Sequence, residues 1–204
     1  ADVQNDAPYN YASGRPVSNW WKNGYRGLLS LRYGIVQSAN IVAVKTLTQI
    51  TPQLGFDYLL NFGFTTLVDR RVEADGTVVS DIGQPLALGG ITDGVTNMEL
   101  NAAYAAIYTK IVDHDGNVLI DNTTPSETPV IKETTAWLLT SAMQDVVTSG
   151  TGGSVNFGGM AIAGKTGTTS DNKDVWFSGF TPYYTATTWT GYDNNVSLSS
   201  SAER

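Results

Sequence analysis

The densest chemistry in the chain lies in Ala163-Gly-Lys-Thr-Gly-Thr-Thr-Ser170, with Asp174-Val-Trp-Phe-Ser-Gly-Phe180 close behind it. On an apolar strand, Lys165, Thr166, Gly167 and Thr168 set a cation, two hydroxyls and a bare backbone position along one edge. Such an edge can hold a carboxylate by charge-assisted hydrogen bonds while an acyl carbonyl lies alongside it. Ser38-Ala39-Asn40 is a second polar cluster, placed where two helical segments meet. Ser38 offers a hydroxyl that can pass a proton, and Asn40 offers a donor and an acceptor end for a substrate amide. These side chains fit acyl transfer through an active serine, which also needs a nucleophile, a base and oxyanion donors.

Lys165 admits three readings. Gly159-Met-Ala-Ile-Ala-Gly-Lys-Thr166 satisfies the phosphate-loop pattern G-x-x-x-x-G-K-[ST]. A phosphate loop requires a strand before the first Gly and a helix starting at the Lys. Here Met160 to Ala163 are themselves strand-like, and Gly167 weakens any helix start. The second reading is structural, a strand edge with an incidental lysine between turn glycines. The third is catalytic and depends on the rest of the constellation.

The elements that must position these residues are legible as patterns. Ser30 can cap a helix through Leu31 to Val36, interrupted near Ser38-Ala39-Asn40, with a second helix beginning around Asn40. Pro52 suits the first turn of another helix reaching about Asn61. Residues 65–95 look irregular, with Leu86-Ala-Leu-Gly-Gly90 as an apolar segment. Thr96-Asn-Met-Glu99 is a capping box, so a helix should run to about Thr109, and its nearly all-round apolar surface marks it as buried. Ile111-Val112 and Val118 to Ile120 flank Asp115-Gly116, a hairpin signal. Leu138, Leu139, Ala142, Met143 and Val146 form one helical stripe between Glu133 and Val147, and Gly150-Thr-Gly-Gly153 ends it. Strands are expected over Met160–Thr166, Asp174–Phe180 and Tyr184–Tyr192, with a turn at Thr181 to Tyr184. Trp176 and Phe177 should alternate, one to the core and one toward the surface. Helices first and strands last give an α+β class with an antiparallel sheet. The whole chain reads as one domain, with residues 1–30 an extended approach, 31–150 mainly helical and 160–193 the sheet strands.

Bulk properties bound the function. The chain has 204 residues, 41% of them hydrophobic and 15% charged, as in folded globular domains. A net charge of −7 gives no electrostatic reason to bind nucleic acid. The absence of cysteine excludes disulfides and thiolate chemistry. No apolar run approaches the ~20 residues of a membrane helix. His114 between Asp113 and Asp115 suits a solvated hairpin tip better than a metal site, and no cofactor is implied.

Five spaced blocks together resemble the transpeptidase domain of class A penicillin-binding proteins. They are Leu31 to Val44, Ala87 to Tyr104, Val146-Val-Thr-Ser-Gly-Thr-Gly152, Ala163 to Thr169 with Asp174 to Phe177, and Trp189 to Asp193. Lys165-Thr-Gly167 is then the Lys-Thr-Gly box of that family and Ser38-Ala-Asn40 its Ser-x-Asn. The resemblance implies a serine-type D-Ala-D-Ala transpeptidase and β-lactamase-like fold, with helices packed on an antiparallel sheet. It implies cross-linking of peptidoglycan stem peptides at the extracytoplasmic face of the bacterial membrane, with β-lactams acylating the same serine. Lys165 would attract the substrate carboxylate, Thr166 and Thr168 would hydrogen-bond it, Gly167 would leave room for the substrate backbone, and the Thr168 N–H would help hold the oxyanion. The chain departs from the pattern in one respect: no Ser-x-x-Lys precedes Ser38. Ser170-Asp-Asn-Lys173 spells that motif but sits in the wrong order, directly after the Lys-Thr-Gly strand, where a turn is expected. The expectation is therefore a fragment whose nucleophile lies in a missing upstream segment, inactive alone. The alternatives are a non-catalytic partner-binding module of the same fold, a serine β-lactamase or carboxypeptidase, and a nucleotide binder.

Overall fold

A computed structural model describes residues 2–105, 110–112, 118–121 and 130–198. The chain divides into two compact units, Ala1–Thr96 and Asn97–Arg204. Among the described residues every strand pairing is antiparallel, so the molecule is α+β as the order of helices and strands implies.

In the first unit, β1 (Val3–Asp6) pairs with β2 (Gly27–Ser30), Val3 opposite Ser30 and Asp6 opposite Gly27. The segment expected as an extended approach thus holds a ladder that its lack of periodicity did not announce. Neither strand carries an apolar alternation; the fully buried Asp6 fixes the arrangement instead. Its carboxylate accepts from Asn19 Nδ2 at 2.7 Å and from the Arg26 N–H at 2.8 Å, which compensates its burial. Ser30 then caps α1 (Leu31–Val36), its hydroxyl accepting from the Tyr33 N–H. α2 (Asn40–Ile50) follows, and Thr51 and Pro52 start α3 (Pro52–Asn61). Ile41 and Val44 of α2 pack with Tyr11 and Val17, while Leu47 packs with Phe56 and Leu86. The irregular stretch holds a short hairpin, β3 (Arg71–Val72) with β4 (Val78–Val79), and a 3-10 turn over Gln84–Leu88. Buried Asp81 ties it together, accepting from the N–H groups of Val68 and Thr92 and from the Thr92 hydroxyl.

The second unit opens with α4 (Asn97–Ala105) and the pair β5 (Lys110–Val112) and β6 (Val118–Asp121). The expected continuation of α4 to Thr109, the Asp115-Gly116 turn and His114 lie outside the described residues. α5 (Glu133–Ser149) precedes a three-stranded sheet in the order β7 (Ala163–Thr168), β8 (Asp174–Phe180), β9 (Thr185–Gly191). Met143 of α5, Ala163 of β7 and Phe180 of β8 form the core, with Tyr104 and Leu139 packed on it.

Four expectations need correction. α4 buries only Ala103 and leaves Met98 82% exposed, so it is covered on one face rather than all round. The buried residues of α5 are Ala142, Met143, Val146 and Val147, whereas Leu138 is exposed, because the stripe facing β7 drifts by one position. The first sheet strand begins at Ala163, not Met160, and runs on to Thr168. Trp176 and Phe177 are both half-buried, each lying over a neighbouring strand rather than splitting between core and surface. Among the described residues no helix is long and apolar enough to cross a membrane.

Candidate active site

The six residues singled out by chemistry fall into two groups, one in each unit. Ser38 and Asn40 sit at the junction of α1 and α2. The N–H of Ser38 donates to Ile35 O at 3.1 Å and that of Ala39 to Gly34 O at 2.8 Å. This is the paired-bond ending that glycine usually serves, with its pivot in the left-handed region. Here the pivot is Ser38, at φ 51°. An L-residue held there carries strain, which functional positions tolerate. Gly34 is required for a different reason: a Cβ on it would lie 2.6 Å from Val42 Cγ1, so its absence lets α1 close onto α2.

A strap of three residues holds this junction. The Ser18 carbonyl accepts from Asn40 Nδ2 at 2.8 Å, the Asn19 side-chain oxygen accepts from the Ile41 N–H at 3.2 Å, and Trp20 Nε1 donates to Gln37 O at 2.8 Å. Ala39, at the cap position of α2, has no side-chain cap bond of its own, so Asn19 does that work from a distance. Asn19 is itself gripped by Asp6. The strap is not visible in the sequence, because its partners are about twenty residues away and no periodicity links them.

Lys165, Thr166, Gly167 and Thr168 all lie on β7, which among the described residues is one of the two edge strands of its sheet. The Thr169 N–H donates to Asp174 O at 3.0 Å, which sets the phase of the β7–β8 ladder. Hydrogen-bonded pairs alternate along an antiparallel ladder. The backbone groups of Lys165 and Gly167 therefore point to β8, and those of Thr166 and Thr168 point to the open edge. Lys165 Nζ donates to the Thr166 carbonyl at 2.9 Å, as that direction requires. The strand pleat puts the Thr166 and Thr168 side chains on one face and that of Lys165 on the other. The two hydroxyls and the cation thus flank the edge from opposite faces, a finer arrangement than a single row.

Burial lowers the Lys165 pKa to about 8, since the charged ammonium loses hydration. Gly164 is needed for packing, because a Cβ there would meet the Phe177 ring at 2.5 Å and the Ser178 carbonyl at 2.9 Å. Gly167 has no such constraint: its Cβ would meet only Trp176 Cβ, at an ordinary 3.5 Å. Thr151, in the turn that ends α5, places its hydroxyl 2.7 Å from that of Thr166. The sequence signal for Thr151 was its place between Gly150 and Gly152, in a turn that brings backbone close to a helix end.

The competing motifs have the wrong geometry. Lys165 is in mid-strand and no helix starts there, so the phosphate-loop match is accidental. Ser170 to Asn172 form a turn with Ser170 and Asp171 exposed, Asp171 at φ 62° and Asn172 at φ 52°. No helical turn brings Ser170 and Lys173 onto one face. Among the described residues no group of three His, Cys, Asp or Glu side chains is placed to hold a metal ion.

Residues 1–200 match the family model for the penicillin binding protein transpeptidase domain. The chain belongs to that family. This transpeptidase domain is 34% identical to penicillin-binding protein 1A of Clostridium botulinum, over 96% of the present chain and 24% of the relative. It is 33% identical to penicillin-binding protein 1A of Clostridium perfringens, over 84% of the chain and 26% of the relative. The chain spans about a quarter of the length of these curated relatives. Its fold is shared with the penicillin-binding protein PonA1 from Mycobacterium tuberculosis, at TM-score 0.70 and 22% identity, covering 95% of this chain and 55% of that one. It is also shared with penicillin-binding protein 1A from Haemophilus influenzae, at TM-score 0.68 and 22% identity, covering 95% and 35%.

Proposed function

We propose that this domain positions peptidoglycan stem peptides for D,D-transpeptidation and binds β-lactams at the same place. The single observation that carries the proposal is the open edge of β7. It presents the Thr168 N–H and the Thr166 and Thr168 hydroxyls beside a half-buried Lys165, the set of groups that a peptide carboxylate and a developing oxyanion need. In the reaction, a serine oxygen attacks the carbonyl between the two terminal D-alanines. The C–N bond breaks, and the terminal D-alanine leaves after its nitrogen takes a proton. The amine of a second stem peptide then attacks the ester carbonyl, the C–O bond to the serine breaks as the new C–N bond forms, and a proton from the attacking amine goes to the serine oxygen.

Lys165 attracts the substrate carboxylate, and Thr166 and Thr168 hydrogen-bond it. The Thr168 N–H supplies one oxyanion donor. Gly167 leaves the strand surface bare for the substrate backbone, in keeping with the lack of any internal need for glycine there. Ser38 passes the proton, and Asn40, oriented by the Ser18 carbonyl, holds the substrate amide. No Ser-x-x-Lys occurs before Ser38, so the roles assigned to these residues are those of holding the substrate and passing the proton. The site works at the extracytoplasmic face of the bacterial membrane, where stem peptides are joined. No nucleic acid partner is proposed for so acidic a chain.

The test is intact mass after incubation with benzylpenicillin, on residues 1–204 and on a chain extended upstream through the next Ser-x-x-Lys. An adduct on the extended chain alone is expected. An adduct on the shorter chain would move the nucleophile to Ser38 or Ser170, and none on either would favour a non-catalytic module.

A further inference from the structure

We propose that Thr151 is a positioning residue for the carboxylate clamp: its hydroxyl donates to Thr166 Oγ1 and so aims the Thr166 hydrogen at the substrate. The inference rests on the proposed role of β7. The observation behind it is the 2.7 Å separation between the two hydroxyl oxygens, both partly buried, from segments fifteen residues apart.

A hydroxyl has one hydrogen and two lone pairs, so its donor direction is set by whatever donates to it. If Thr166 is to give its hydrogen to a carboxylate, it must accept from Thr151, and the chain then runs Thr151 to Thr166 to carboxylate. Each bond in such a chain polarises the next. The opposite direction would spend the Thr166 hydrogen on Thr151 and leave a lone pair facing an anion. An incoming carboxylate selects the first direction.

The turn carrying Thr151 is built to hold that hydroxyl still. The N–H groups of Gly150 and Gly152 both donate to Val146 O, at 3.1 and 2.9 Å, folding the chain back over the end of α5. A Cβ on Gly152 would lie 3.3 Å from both Val146 Cγ1 and Val146 O, so a side chain there would push the turn away. Val146 is fully buried and anchors the turn. Thr151 thus rides on a rigid helix end, the kind of support that keeps a binding group within a fraction of an ångström of its working position.

The experiment measures second-order acylation of the full-length protein by benzylpenicillin and by its methyl ester, which lacks the carboxylate charge. The acid-to-ester rate ratio is unaffected by a misfolded fraction, because that fraction scales both rates equally. Thr151→Val should lower the ratio about 3- to 10-fold, the worth of one neutral hydrogen bond. Thr151→Ser should restore it, Thr166→Val should lower it at least as much, and the double variant should fall no further than Thr166→Val. An unchanged ratio in Thr151→Val beside a reduced one in Thr166→Val overturns the role of Thr151 and leaves the clamp standing. An unchanged ratio in both overturns the clamp and the inference with it.

Discussion

Replacing Ser38 by alanine and by glycine separates strain from chemistry at one residue. Both substitutions remove the hydroxyl, so they differ only in how they tolerate φ 51°. An L-residue in the left-handed region costs roughly 1–2 kcal/mol. Glycine escapes that cost but gives up about 0.5–1 kcal/mol through the greater freedom of its unfolded chain. The difference leaves Ser38→Gly more stable than Ser38→Ala by about 0.5–1 kcal/mol. At about 2–4 °C per kcal/mol for a chain of this size, the gap in melting temperature is about 1–4 °C. In an ordinary helical position the order reverses, with alanine ahead. The assay is thermal unfolding of the two variants side by side in residues 1–204, with β-lactam acylation measured on the same substitutions in the full-length protein. Acylation should fall about 10²-fold or more in both, the scale of a lost proton-transfer group. Alanine equal to or above glycine in stability would refute the strained geometry. Acylation retained in either variant would refute the proton-passing role.

Four further outcomes follow from the geometry of the two units. Gly167→Ala should leave the melting temperature unchanged yet slow acylation at least tenfold, because the added methyl meets nothing tight inside the protein; a large stability loss would show an internal role instead. Acylation by a carboxylate-bearing β-lactam should decline as pH rises through about 8, where the half-buried Lys165 loses its proton, and Lys165→Arg should abolish that decline because guanidinium stays charged. The stability sign runs the other way. The folded pKa lies below the unfolded value, so the cost of burying the charged lysine is present below about 8 and is relieved as pH climbs toward the unfolded pKa of 10.5, which a pH series of unfolding free energies checks. Asn19→Ala should destabilise the first unit by about 1–3 kcal/mol, since it leaves one oxygen of the buried Asp6 carboxylate without its donor and α2 without its cap, while the Arg26 N–H still serves the other oxygen; a change below about 0.5 kcal/mol in urea unfolding would contradict the strap.

What the sequence made legible was whatever is specified locally. Ser30, Pro52 and the break at Ser38-Ala39-Asn40 mark helix ends through caps and turns made within four residues, and the structure places α1, α2 and α3 at those bounds. The Lys-Thr-Gly strand and Asp174 to Phe180 read as strands because each is a short run, the second rich in aromatic residues, bounded by turn residues. The β1–β2 ladder was not legible. It is held by Asp6 through Asn19 and Arg26, 13 and 20 residues away, and buried polar pairing leaves no periodic mark. The same holds for Thr151, whose meaning appears only once α5 is laid against β7. The exposure of Leu138 and Met98 shows the matching limit, since an apolar stripe says that a helix packs but not how far its contact face turns.

The most direct measurement is the second-order acylation rate of the full-length protein by benzylpenicillin, compared with Lys165→Ala. Loss of this charge from the carboxylate clamp should slow acylation about 10²-fold or more, on the scale of one electrostatic contact to the reacting complex. A rate equal to that of the unsubstituted protein would contradict the assignment of β7 as the substrate-holding edge.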